Sequence, residues 1–292
     1  MSDAQSRQSE SSLDLAPKLA EIVEHTRSGL DAIRASETEL EALARDAEPP
    51  RGFLRALTGD PDSTAVIAEV KRRSPSAGLI RPEYAELAGE GSDGGMGFDP
   101  VVIARAYFNA GASAISCLTD EKFFGGHVSF LSAIRKGVPL PVIRKDFLLD
   151  PVQVTEARAA GADAVLLIAE CLSDAALDDL IDRALSLGMD VLLEIHDADN
   201  FGRASARVAA SPDRILLGVN NRDLRTMTVD LDHCRRLAAR TPDPTRVVGE
   251  SGIKTPEDLA SLREAGIRIV LVGEHLMRQG DPGIALGELL HG

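Results

Sequence analysis

Lysine is scarce in this chain, with six residues against 26 arginines in a sequence of 292. Arginine stays charged at any working pH, whereas a desolvated lysine can have its pKa lowered and so give or take a proton. Where lysine persists in so arginine-rich a chain, the amine itself is expected to matter. Cysteine is scarce too. Cys117, Cys171 and Cys234 are odd in number and lack C-x-x-C spacing, so buried thiols in a reducing cytosol are expected rather than a disulfide or metal site. Positive charge is in deficit, the formal net charge being −14. No basic stripe exists to neutralise phosphates, which argues against nucleic acid or an anionic membrane as partner. No apolar run approaches the roughly 20 residues that span a bilayer. The polar start, Met1 to Ser12, lacks the apolar stretch of a secretory signal. A cytoplasmic protein is expected, with residues 1–12 as a disordered tail.

What the sequence does contain is one recurring unit. At 44% hydrophobic and 27% charged residues it can bury one large core or two modest ones. An amphipathic stretch, a glycine and a short Val/Ile/Leu-rich run succeed one another at Ala110-Gly111-Ala112 before Ala114–Leu118 and at Ala160-Gly161-Ala162 before Ala164–Ile168. The same order recurs at Leu187-Gly188-Met189 before Val191–Ile195 and at Ala265-Gly266-Ile267 before Ile269–Val272. Glycine there suits the left-handed residue that ends a helix before a strand. Val66–Lys71, Val142–Lys145, Ile215–Asn220 and Val247–Glu250 complete eight candidate strands. Runs that are apolar throughout belong to a parallel sheet buried on both faces, and eight such units predict an α/β chain folded as a (β/α)8 TIM barrel. An open doubly wound sheet is the alternative, weakened because no G-x-G-x-x-G follows the first strand.

Two segments fall outside the period of this single domain, 13–292. Leu15 to Asp46 reads as helix with Leu15, Leu19, Ile22 and Val23 on one face, part of an N-terminal helical extension (13–60) packed on the barrel. Between the first and second runs lies an insertion, Glu83–Gly97, where Gly89, Gly91, Gly94, Gly95 and Gly97 stand among acidic and small residues. It is expected to bury little and to be mobile; following a strand, it would sit on the catalytic face, as a lid or, the reading preferred, as a spacer whose excision leaves stability nearly unchanged.

Charges stand near the ends of three apolar runs: Glu69 and Lys71 in the first, Arg144-Lys145-Asp146 in the third, Glu194 in the fifth. An ion taken out of water costs several kcal/mol unless it is paired or used. Strand alternation puts Glu69 with Lys71 on one face and sets Lys145 and Glu194 on theirs. Facing the surrounding helices, such charges would be expensive. They are therefore expected to point inward at the C-terminal mouth, where active sites of this fold lie. Asn220 and Glu250 end their runs at the same rim. Each residue alone could be a satisfied buried ion; two lysines and two glutamates converging on one mouth point to an enzyme.

Phosphate binding is the second theme. Ser251-Gly252 closes the seventh run and Gly273-Glu274 the eighth, each before a helix. Small residues let backbone N–H groups approach an anion, and helix N-termini favour negative charge; Ser74 could add a hydroxyl from the first loop. Glycine after a barrel strand is also plain turn chemistry. His196, beside Glu194, lacks any companion histidine or cysteine at ligand spacing and is read as a satisfied rim residue, with no metal expected.

Glu69-Val70-Lys71-Arg72-Arg73-Ser74-Pro75-Ser76, Thr119-Asp120-Glu121-Lys122-Phe123-Phe124-Gly125-Gly126 and Arg144-Lys145-Asp146-Phe147 resemble motifs of the indole-3-glycerol phosphate synthase family. So do Leu193-Glu194-Ile195-His196, Gly218-Val219-Asn220-Asn221-Arg222-Asp223-Leu224, Gly249-Glu250-Ser251-Gly252-Ile253 and Val272-Gly273-Glu274, in the family's order from about Leu15 to Leu290. The resemblance implies a step of tryptophan biosynthesis, in which 1-(2-carboxyphenylamino)-1-deoxyribulose 5-phosphate gives indole-3-glycerol phosphate, CO2 and water. It implies a helical segment over the barrel mouth, a small phosphorylated substrate, and no metal or cofactor. By the same similarity Lys145 is a general acid at the sugar carbonyl, Lys71 pairs with the anthranilate carboxylate, and Glu194 is the base of the dehydration. Glu69 and Asn220 would position the lysines and sugar hydroxyls. Phe124 and Phe147 would flank the aromatic ring, while Ser74, Ser251, Gly252, Gly273 and Glu274 hold the phosphate and Arg222 pairs with Glu250. The insertion is the departure from the family's pattern. A Schiff-base aldolase barrel and a catalytically silent binding barrel are the rival readings; the second would be expected to have lost one of Glu69, Lys71, Lys145 or Glu194, and all four are present.

Overall fold

The computed structural model describes residues 15–75, 77–87, 97–223 and 225–292. Eight strands close into a barrel: β1 (Ala65–Val70), β2 (Ala114–Leu118), β3 (Val142–Lys145), β4 (Ala164–Ile168), β5 (Asp190–Ile195), β6 (Ile215–Asn220), β7 (Val247–Glu250) and β8 (Ile269–Val272). Every neighbour is parallel, and β1 pairs with both β8 and β2 to complete the circle. The strands are buried along their length apart from the last residues of β3 and β6, as continuous apolar runs require. Helices return the chain between them. Gly111, Gly161, Gly188 and Gly266 all have φ between 75° and 94°, the left-handed conformation that lets each helix stop and the next strand begin.

The single helix expected from Leu15 to Asp46 is instead two, α1 (Pro17–Arg34) and α2 (Glu37–Asp46). Ser36 stands at the new N-cap position without a capping bond from its side chain, and Glu37 and Glu39 supply negative charge to the first turn, which favours a helix start there. Leu19, Ile22 and Val23 are buried and Leu15 partly so. A third helix, α3 (Phe53–Thr58), buries Phe53, Leu54 and Leu57 beneath the opposite end of the barrel. There Asp163, just before β4, accepts the Arg51 backbone N–H at 2.7 Å, and Asp190, opening β5, accepts that of Leu54 at 2.9 Å. The guanidinium groups of Arg135 and Arg158 donate to the carbonyls of Pro49 at 2.8 Å and Ala47 at 2.9 Å. The extension thus runs from the mouth of the barrel to its base.

After β1, Arg73–Ser74 and Gly78–Leu79 form a small antiparallel hairpin, too short to leave a periodic signature. The start of the expected insertion is structured, which corrects the expectation that it buries little. Pro82–Ala85 forms a 3-10 turn, and Tyr84, 5% exposed, meets the Phe98 ring edge-on at 5.4 Å between centroids. Arg72 donates to the carbonyls of Tyr84 and Ala85, and Leu87 bridges to Phe98. The expected mobility of the insertion's interior, 88–96, and the expected tail, 1–12, concern residues outside those described. Among the described residues no helix is long and apolar enough to cross a membrane.

Candidate active site

The C-terminal ends of the strands open into a cavity of about 1010 Å³. Glu69, Lys71, Lys145, Glu194 and Asn220 all line it, as do the binding candidates Ser74, Phe124, Phe147, Arg222, Glu250, Ser251, Gly252, Gly273 and Glu274. Lys18, Leu19 and Ile22 of α1 reach the same space, so the N-terminal extension does lie at the mouth.

Strand alternation and register set the central geometry. Lys145, at the end of β3, places its Nζ 3.0 Å from Glu194 Oε2 and 3.5 Å from Glu250 Oε2. Lys71, one residue past β1, pairs with Glu69 at 2.6 Å. Asn220 Nδ2 donates to Glu194 Oε1 at 3.1 Å. Glu69, Glu194 and Glu250 are 4%, 2% and 1% exposed. Room for two of these carboxylates comes from absent side chains. A Cβ on Gly218 would lie 2.5 Å from Glu250 Oε1, and one on Gly273 would collide with Glu69 Oε1. Gly273 therefore has a packing duty whether or not an anion binds beside it. Ser251 and Gly252 both have left-handed backbones, φ 65° and 86°; for serine that conformation costs on the order of 1–3 kcal/mol, and it falls on the loop where the phosphate is expected.

The electrostatics suit a lysine that gives up a proton rather than one that attacks as a free amine. Burial alone would lower the Lys145 pKa, but Glu194, Glu250 and Glu69 outweigh it and raise it well above the usual lysine value. Lys145 is thus kept charged, not neutralised. The two glutamates diverge. Burial raises Glu250, and the neighbouring Glu194 charge raises it further. Glu194 feels the same burial, yet Lys145 and His196 draw it well below the usual carboxylate range. Two buried carboxylates sharing one lysine cannot both ionise cheaply, and Glu194 is the one that does.

One correction concerns Arg222. It pairs with Glu274 at 3.4 Å, not with Glu250, whose partner is Lys145. Arg222 lies two residues beyond the end of β6, and its long side chain reaches past β7 to the helix that follows β8. Glu274 also pairs with Arg278 at 3.0 Å; with its carboxylate taken up, what it offers an anion is its place at the first turn of the helix Glu274–Met277. Phe124 and Phe147 do come together, ring centroids 6.3 Å apart and tilted by 34°. Arg144, next to Lys145, takes the opposite strand face, as alternation requires. It faces the helices, where Glu156 at 2.7 Å, Asp146 at 3.1 Å and Thr119 at 3.0 Å complete its bonds.

Three contributors were not anticipated as such. Lys18 comes from α1, whose docking no local pattern specifies. His196 pairs with Glu194 at 3.0 Å, and Glu170 pairs with His196 at 3.3 Å. For His196 a signal was present, since it follows Glu194 by two residues at the end of β5; Glu170 sits in the 3-10 turn Ala169–Cys171 after β4, where strand alternation gives no signal.

The sequence matches the family model described as Indole-3-glycerol phosphate synthase over residues 19–289. A relative from Rhodopirellula baltica called indole-3-glycerol phosphate synthase is 46% identical over 277 residues, 95% of this chain and 97% of that one. One of the same name from Rhodospirillum rubrum is 45% identical over 276 residues, 93% and 98% of the two chains. Among solved structures, a 3-hexulose-6-phosphate synthase superposes with a TM-score of 0.56 at 16% identity, covering 77% of this chain and 97% of its own. That likeness speaks to the barrel alone. The length and depth of the sequence match go further, and the chain belongs to the indole-3-glycerol phosphate synthase family.

Proposed function

We propose that the chain catalyses ring closure, decarboxylation and dehydration of 1-(2-carboxyphenylamino)-1-deoxyribulose 5-phosphate to indole-3-glycerol phosphate, CO2 and water. The observation that carries this reading is the pairing of a charged lysine with an ionised glutamate, Lys145 and Glu194, 3.0 Å apart at the barrel mouth within a chain of this family. The chemistry needs both. As the ring carbon bearing the carboxylate attacks the sugar carbonyl, Lys145 gives its proton to the developing alkoxide. Loss of CO2 restores the aromatic ring. Departure of the new hydroxyl as water then needs a proton on that oxygen, from Lys145 or Lys71, and a base, Glu194, to take one from the substrate. Lys71 would hold the anthranilate carboxylate, steered by Glu69; Asn220 would fix Glu194. The Phe124 and Phe147 rings offer an apolar slot for the aromatic ring, and the Ser251–Gly252 and Gly273–Glu274 turns with Ser74 would hold the phosphate. No metal or cofactor enters the scheme. Three buried, unpaired thiols support a reducing, cytoplasmic setting.

The test is direct, because the chain has no tryptophan and indole fluorescence rises over a dark protein. The anthranilate-derived substrate should yield that signal, and Lys145→Ala and Glu194→Gln should each lower kcat by about 10²–10⁴ with much smaller effects on substrate binding. A variant retaining near-parental kcat would remove its residue from the acid or base role. The aldolase reading is disfavoured because an imine-forming lysine must be neutral to attack, and its acidic surroundings, Glu194 first, hold Lys145 charged. Borohydride with substrate should accordingly trap no adduct.

A further inference from the structure

We propose that His196, locked by Glu170, is a positioning residue that keeps Glu194 anionic until it takes the substrate's proton. The inference rests on the role of Glu194 as base given above. Lys145 serves two carboxylates at once, at 3.0 and 3.5 Å, and Glu250 Oε1 has no donor among the described residues. Once Lys145 has delivered its proton, its amine is neutral and no longer holds Glu194 ionised. Another cation is then needed within reach, and His196 stands there. Its Nε2 lies 3.0 Å from Glu194 Oε1 and its Nδ1 3.3 Å from Glu170 Oε2. Both ring nitrogens thus face carboxylates, which only accept when ionised, so the ring satisfies both only as the doubly protonated imidazolium.

Glu170, just past β4, is itself held. Its Oε1 accepts the His196 backbone N–H at 2.7 Å and Asn200 Nδ2 at 3.3 Å. The same carboxylate that orients the ring therefore also fixes the turn that presents it. The titratable groups around the ring come from every side: Glu194 from β5, with Lys145 of β3 and Glu250 of β7 behind it, Glu170 from the β4 turn, and His233 from the helix Leu231–Ala238. Lys145 opposes the charge only from behind Glu194, and His233 yields to it: burial lowers its own pKa first and Arg236 adds to the effect, against Asp230 and a backbone hydrogen bond with His196, which raise it. For His196, burial likewise works against the charge, but Glu194 and Glu170 push its pKa up to about 10.

Two measurements test this. In the unliganded protein, the His196 ring resonance, assigned by its loss in His196→Gln, should remain that of an imidazolium through pH 8. A ring neutral at pH 7 would overturn the proposal whatever the enzyme's activity, so this arm stands apart from the assignment of the reaction. In turnover, His196→Gln keeps a donor but no charge; the acid limb of its kcat–pH profile should move up by about one unit or more, with kcat down about tenfold or more at neutral pH and KM within about threefold. Glu170→Gln, isosteric and so gentle on the fold, should leave the acid limb in place and create a new loss of kcat at mildly alkaline pH, where the unsupported ring gives up its proton. Equal loss of kcat at every pH, with no displaced limb in either variant, would mean a merely structural histidine and sink the proposal.

Discussion

Lys145 lies between Glu194 and Glu250, and the geometry of that trio makes the identity of the cation matter. An arginine at the position would keep the charge and even gain donors, but guanidinium does not release a proton at working pH. Lys145→Arg should therefore bind a substrate analogue within a few-fold of the parent while losing about 10²–10⁴ in single-turnover rate; a rate within tenfold would show that charge alone suffices. His196 makes a separate prediction for stability. Its pKa is raised in the fold, from 6.5 to about 10, so protonation stabilises the native state. The contribution is fully present below about pH 6.5 and is lost as pH rises towards 10. Urea unfolding at a series of pH values should show that alkaline decline in the parent and a flatter profile in His196→Gln. Identical slopes in the two proteins would contradict the raised pKa.

The strand–glycine–helix unit was legible because it repeats, and its physical causes are local: apolar runs for strands buried on both faces, and left-handed glycines such as Gly161 and Gly266 ending helices. The inward placement of Glu69, Lys145 and Glu194 followed from the two-residue strand period alone. What the sequence hid were choices made between elements. Arg222 turned to Glu274 and not Glu250 because partner choice depends on how far each loop rises above the sheet. The break at Ser36 was hidden because both helices continue one apolar face. The Pro82–Ala85 turn was masked by the glycines that follow it, although Tyr84 and Phe98 are two of the chain's ten phenylalanines and tyrosines. That contact yields a prediction. Tyr84→Ala should cost about 2–4 kcal/mol, since it empties a site 5% exposed against a ring 2% exposed. By the same reasoning, joining Pro82 directly to Phe98 should lower the melting temperature, and an unchanged Tm would restore the reading of the whole segment as a spacer.

At the level of the whole molecule, one N-terminal segment serves both ends of the barrel. Lys18, Leu19 and Ile22 reach the cavity at the mouth, α2 descends along the helix Pro151–Ala159, and α3 closes the base. Asp163, fully buried, anchors the descent: it takes Arg51 and Val142 backbone N–H groups, each at 2.7 Å, and the Arg135 guanidinium at 2.5 Å. Removing one partner of such a pair strands the other, so Asp163→Ala should destabilise by about 3–5 kcal/mol and expose residues 47–52 to limited proteolysis. Resistance equal to the parent's would mean that packing of α3 suffices without the carboxylate. The order of synthesis gives this closure a temporal side. Arg51 precedes its anchor by 112 residues and Leu54 its own by 136. At about 5–20 residues per second, the extension waits on the order of 5–30 seconds with Leu19, Ile22, Val23 and Phe53 still in water. A segment made before the barrel it clasps is thus among the last to find its place, and during that interval it is the stretch a holding chaperone would meet.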